Sequence, residues 1–141
     1  MIRLAAIPGD VITVLAAITY LLVKHLFADF LLQTEHQRLT KGIYGASGGL
    51  THALTHAVLT APVFLILAPI GALVITALLF SEFVLHYHID WTKEQFLRHN
   101  QWTPKHYAFW WALGIDQLAH GLTYIALIWL AFSFSIGGLP D

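Results

Sequence analysis

The sequence predicts an all-α integral membrane protein, a four-helix bundle with both termini outside the cytoplasm. Three observations carry that prediction. Of 141 residues, 57% are hydrophobic and only 11% charged, with a mean hydropathy of +0.68, which is more apolar surface than a small soluble globule can hide. The apolar residues gather into four stretches, each close to the ~20 residues needed to cross a hydrocarbon core of ~30 Å. Five of the seven Lys and Arg residues (Arg38, Lys41, Lys93, Arg98 and Lys105) fall in two polar connections, 34–48 and 92–105. The positive-inside rule makes those connections cytoplasmic, and four crossings then leave both ends outside.

The first span covers 11–33 and is interrupted only by Lys24, His25 and Asp29 among ionisable groups. It is too long and too polar at its end for a signal peptide, and no small-residue cleavage site follows it. Gly42, Gly45, Gly48 and Gly49 predict a flexible connection after it. A second apolar run contains Pro62 and the sequence Ala68-Pro69-Ile70-Gly71. A tight reversal at Pro69 divides this run into spans 49–67 and 70–91. The fourth span covers 107–134, of which 113–134 alone is long enough to cross. Trp110 and Trp111, with Trp91, have the character of an interfacial belt. No repeat or second domain is visible, so 1–141 reads as one domain.

Composition also excludes functions. A net charge of -1 with no basic run removes the electrostatic footprint of a nucleic-acid binder. The absence of cysteine excludes disulfides, iron–sulfur clusters and thiolate zinc sites. Nine histidines and eight acids, however, are too many for a passive membrane anchor.

Those residues recur at a spacing of four inside the spans: His25 and Asp29, then Gln33; His52 and His56; Glu82, His86 and Asp90; Asp116 and His120. Side chains four apart share a helix face. One such pair alone reads as an interhelical hydrogen bond or a snorkelling side chain. Four stripes in four helices require more, because an ionised group at the bilayer centre costs ~2.5–3.5 kcal/mol. With both connections cytoplasmic, all four stripes fall in one layer near that face.

Imidazole with carboxylate suits zinc, iron or manganese, and inward-facing pairs of this kind build metal sites in bundles. Asp29, Glu82, Asp90 and Asp116 bring four negative charges, which two divalent ions would balance. The expectation is therefore two divalent metals, zinc first, held by His25, Asp29, His52, His56, Glu82, His86, Asp90, Asp116 and His120. A metal-free polar network such as a proton relay is the alternative. Glu82 is a further ligand or the general base, and Lys93 either an interface residue or a phosphate contact. Lys24 reads as an interface anchor, Gln33 and Gln117 as hydrogen-bond partners for ligands or substrate, and His36, His88, His99 and His106 as exposed.

The ordered set His25-x3-Asp29-x3-Gln33, His52-x3-His56, His86-x3-Asp90-x2-Lys93 and Asp116-Gln117-x2-His120 resembles an uncharacterised bacterial family of small multi-pass membrane proteins, a domain of unknown function. The likeness spans nearly the whole chain and implies a bacterial cytoplasmic membrane. A more distant similarity is to membrane-bound metal-dependent hydrolases. Leu54-Thr55-His56 and the helix from Ser81-Glu82 through His86 to Asp90 look like two of their elements. Their Pro-Asp-x-Asp-His segment has no counterpart here, and Asp116/His120 with His25/Asp29 would take its place.

The leading expectation is a dinuclear-metal hydrolase working at the cytoplasmic face on a lipid or phosphorylated amphiphile, with metal ions activating water and polarising the scissile group. Its partners would be membrane lipid and no nucleic acid, with a homo-oligomer left open. One alternative is metal or proton transport or binding, against which the apolar outer halves 11–22 and 124–134 count. The other is a redox protein with haem or a non-haem di-iron centre.

Overall fold

The structure is a computed structural model and describes residues 9–67 and 70–136. Among them all regular structure is helical: α1 (Gly9–Phe30), α2 (Glu35–Thr40), α3 (Ser47–Leu67), α4 (Ala72–His99) and α5 (Tyr107–Ile136). The expected reversal at Pro69 lies outside the described residues.

Two boundaries differ from expectation. α1 stops at Phe30, where the N–H groups of Leu31 and Leu32 both turn back to the Phe27 carbonyl, so Gln33 belongs to the connection. α4 runs on to His99 instead of ending near 91, because Thr92 to Arg98 holds no Gly or Pro. Arg98 and His99 in its last turn also oppose the helix dipole.

The connection after α1 is built rather than flexible. Thr34 and Gln37 form a reciprocal capping box that starts α2. Gly48 lets α2 lie against α3, since a Cβ there would fall on Thr40 Oγ1. Gly45 supplies the turn with a φ of 77°. Gln95 Nε2 and Arg98 Nη2 of α4 donate to the carbonyls of Gly42 (2.7 Å) and Leu39 (3.0 Å), tying the connection down.

The four long helices neighbour one another in a ring, α1 with α3, α3 with α4, α4 with α5, and α5 with α1, while α2 rests on α3. Cross-helix pairs run in opposite senses along each seam. Tyr20 meets Leu59 and Lys24 meets His56 between α1 and α3; Thr60 meets Glu82 and His52 meets Asp90 between α3 and α4. Each seam is therefore antiparallel, giving an up-down bundle.

Three of these helices are long and apolar enough to cross a membrane: Val11–Phe30, Ala72–His99 and Tyr107–Phe134. That is consistent with a membrane protein and corrects the expectation of four such spans. α3 falls short because its first half carries Gly48, Gly49, Thr51, His52, Thr55 and His56 among its apolar residues.

The apolar core, including Leu21, Phe64, Leu78, Leu127, Ile128 and Ala131, fills the half of the bundle away from α2. Large side chains such as Leu22, Leu26, Phe80, Trp111, Leu118 and Trp129 point outward. Apolar matter thus covers both core and rim, and the polar groups collect inside the other half.

Candidate metal centre

Each long helix turns its stripe inward. His25, His52, His56, Glu82, His86, Asp90, Asp116 and His120 are all buried, and the Asp29 side chain is 8% exposed. The imidazoles crowd together. His56 stacks on His86 at 3.7 Å between centroids, His86 lies 4.1 Å from His120, and His25–His120 and His52–His56 are each 4.7 Å apart. The single layer expected from helix depth is present.

Carboxylates lie among the rings. Asp29 Oδ1 is 3.1 Å from His56 Nε2 and 3.2 Å from His52 Nε2, while its Oδ2 is 3.2 Å from His25 Nε2. Asp90 Oδ2 is 3.2 Å from His52 Nε2, and Asp116 Oδ1 is 3.7 Å from His120 Nε2. Many of these contacts have the distance of a hydrogen bond without its direction. Among the described residues, Nε2 of His25, His56, His86 and His120, Nδ1 of His86, Oδ1 of Asp29 and Asp116, and Oδ2 of Asp90 are buried without a hydrogen-bond partner.

An orphaned buried polar atom costs ~1–3 kcal/mol, so a cluster of them calls for a ligand. A divalent cation fits, because free imidazole nitrogens and carboxylate oxygens are its donors. Three groups place such atoms within 4.8 Å of one another: Asp29, His52, His56 and His86; His25, His86 and His120; and Asp90, Asp116 and His120. Buried His and Asp side chains can thus hold metal. Eight of the nine ligands read from the sequence belong to these groups, and the first and third groups share no residue.

Glu82 lies outside all three. Its Oε1 accepts from Lys24 Nζ at 2.7 Å and from Thr60 Oγ1 at 2.9 Å. Lys24 is correspondingly no interface anchor: it is buried, and it also donates to the His56 carbonyl at 2.9 Å. An inward-facing acid on α4 gives this cation a better partner than the membrane surface.

Two other lysines approach the aspartates. Lys93 Nζ is 3.5 Å from Asp90 Oδ1 and 3.6 Å from Asp116 Oδ2. Lys41, which the sequence places in a polar cytoplasmic connection, is buried with its Nζ 3.3 Å from the same Asp90 Oδ1. Glu82 and Lys24 cancel, and three aspartates with Glu94 against Lys41 and Lys93 leave two negative charges in place of the four that Asp29, Glu82, Asp90 and Asp116 bring by themselves. The case for two ions now rests on the two disjoint donor groups.

Supporting residues surround the donors. The Tyr124 hydroxyl is 2.9 Å from His25 Nδ1, which fixes that ring with Nε2 facing the cluster. Gln33 Nε2 lies 3.3 Å from the His52 ring, and Gln117 Nε2 donates to Asp116 Oδ2 at 3.1 Å. Both glutamines thus contact candidate donor residues. His36, His88, His99 and His106 are exposed, as expected. Tyr124 and Thr60 were legible by spacing, each lying four residues beyond a stripe histidine. Lys41 carried no such signal.

Beside the centre, a groove of about 770 Å³ opens between α4 and α5. Leu85, Ile89, Phe96, Trp111 and Ile115 line it, and Lys93 and Asp116 join it to the centre. No curated protein and no solved structure matches the chain. Residues 17–137 match the family described as Protein of unknown function (DUF3307), and the chain belongs to that family.

Proposed function

We propose that the protein is a metal-dependent hydrolase embedded in the bacterial cytoplasmic membrane, acting from the cytoplasmic face on a lipid or phosphorylated amphiphile. The convergence of orphaned imidazole nitrogens and aspartate oxygens beside an apolar groove carries this reading. The weaker likeness of Thr55-His56 and Ser81 to Asp90 to membrane-bound metal-dependent hydrolases points the same way. In this reading α3 crosses as the fourth span. α1 and α4 flank it, and Thr60 donates to Glu82 inside the bundle. Both termini then lie outside, with the metal layer on the side of α2 and the basic connections.

The disjoint groups suggest a division of labour. Asp29, His52, His56 and His86 make a closed four-donor site. Asp90, Asp116 and His120 offer three donors and leave room for substrate, and Asp116 is the member that borders the groove. The group with His25 uses His86 and His120 from the other two, so it serves as reserve or support. Zinc suits these nitrogen and oxygen donors, as do iron and manganese. A divalent metal there supplies Lewis acidity and an activated water. Lys93 orients an anionic substrate, the groove excludes water from its apolar part, and Glu82 acts as counter-ion to Lys24.

Other readings find less support. A transport path through one chain would have to pass the packed layer of Leu21, Phe64, Leu127 and Ala131. Haem needs its macrocycle between two axial imidazoles, and the rings here stand 3.7–5.7 Å apart. A non-haem di-iron centre would use the same donors, and its colour would reveal it.

The test is elemental analysis and absorption of detergent-purified protein. About two divalent ions per chain are expected, reduced in His86→Ala and Asp90→Asn and unchanged in His88→Ala, whose ring is exposed. A wild-type protein that neither retains metal nor takes it up from zinc, iron or manganese would refute the proposal, as would an Asp90→Asn variant with full metal content. Turnover of long-chain phosphate or carboxylate esters by the loaded protein then tests hydrolysis.

A further inference from the structure

Lys41 and Lys93 reach one oxygen from opposite elements. Lys41 comes from the connection after α2, Lys93 from α4, and their ammonium groups stand 3.3 and 3.5 Å from Asp90 Oδ1. One carboxylate cannot neutralise two ammonium groups, and of the other acids near Lys93, Asp116 is shared with His120 and Gln117 while Glu94 Oε1 stands 3.7 Å away. Both acids also belong to the three-donor metal group. When a cation takes their charge, Lys41 is left buried without a counter-ion and Lys93 with only Glu94, a costly state unless an anion joins them.

The charge balance says which anion. Asp29, Asp90, Asp116 and Glu94 against the two lysines leave two negative charges, so two divalent cations would leave two positive charges. A phosphate monoester brings about -1.5 to -2 at neutral pH, whereas a neutral carboxylic ester brings none. The groove gives the rest of the ligand. Lys93 is the one Lys or Arg among its lining residues and Asp116 the one acid, while Leu85, Ile89, Phe96, Trp111 and Ile115 supply apolar wall.

We propose that the chain binds the phosphate monoester of a long-chain membrane lipid alcohol, with the phosphoryl group between Lys41 and Lys93 and the hydrocarbon in the α4–α5 groove. As a substrate class this rests on the hydrolase reading above; as a binding site it does not. In the reaction, the water oxygen bonds to phosphorus and the phosphorus–oxygen bond to the alcohol breaks. The proton lost by water leaves on the alcohol, giving a free long-chain alcohol and inorganic phosphate.

The test is photolabelling of zinc-loaded protein in nonionic micelles with an alkyl phosphate carrying a diazirine on its chain. The label should map to groove residues of α4 and α5. It should be displaced by unlabelled dodecyl phosphate at least tenfold more effectively than by dodecanol, dodecanoate or inorganic phosphate. Lys93→Met should reduce labelling at least tenfold while metal content stays unchanged, and Lys41→Met likewise; if Lys41→Met does not fold, Lys93→Met decides alone. Equal displacement by dodecanol or dodecanoate would overturn the phosphate assignment, and equal displacement by inorganic phosphate the lipid one. Selective labelling without turnover would sink the hydrolase reading and leave this site standing. Turnover of neutral esters without phosphate preference would do the reverse.

Discussion

Replacing Lys24 with methionine isolates one buried charge. The Lys24 and Glu82 side chains are 4% and 1% exposed and 2.7 Å apart. At an effective dielectric of about 20, that separation gives roughly 6 kcal/mol of attraction. Desolvation costs several kcal/mol per ion, so the intact pair contributes little net stability. Lys24→Met retains most of the apolar stem but leaves Glu82 with only Thr60 as donor, and an uncompensated buried charge costs about 3–5 kcal/mol. The Lys24→Met/Glu82→Leu double variant removes both charges and should return to wild-type stability or exceed it by up to about 4 kcal/mol. Equilibrium unfolding by SDS in mixed micelles measures Lys24→Met, Glu82→Leu and the double variant, and elemental analysis should show unchanged metal because neither residue is among the candidate donors. A single-variant loss below about 1 kcal/mol, or a double variant as unstable as the sum of its parts, would refute this account.

Two further outcomes follow from the same geometry. Tyr124→Phe removes the hydroxyl 2.9 Å from His25 Nδ1 and should weaken metal binding by roughly 10–100-fold, measured by chelator competition, with the helical content unchanged. Metal retention should fall as pH drops, because protons compete for ring nitrogens that must be neutral to bind. Equilibrium dialysis between pH 8 and about 5 reads this, and retention independent of pH would contradict histidine ligation.

The helices and the polar stripes were legible in sequence because both are periodic. A spacing of four places His52 with His56, and Asp116 with His120, whatever the partner helices do. Applied to uncharged residues, the same rule would have added Thr60 and Tyr124. What periodicity could not supply was partnership. Glu82 shares a stripe with His86 and Asp90, yet Lys24, on a different helix, claims it. Lys41 follows a short helix and has no repeating neighbour, so only the packing of that connection on α4 reveals its contact with Asp90. The α1 boundary and the extension of α4 to His99 depended on end geometry, which hydropathy does not encode.

The groove between α4 and α5 opens on the flank of the bundle, among outward-pointing residues such as Trp111 and Ile115, rather than at its end. In the membrane placement proposed above, a molecule entering there would come sideways from the surrounding leaflet and would never have to dissolve in water. Its effective concentration is then its mole fraction in the membrane rather than its amount per litre. Diluting it with inert lipid or detergent at constant bulk amount would slow its capture, and the protein would respond to the composition of the sheet around it.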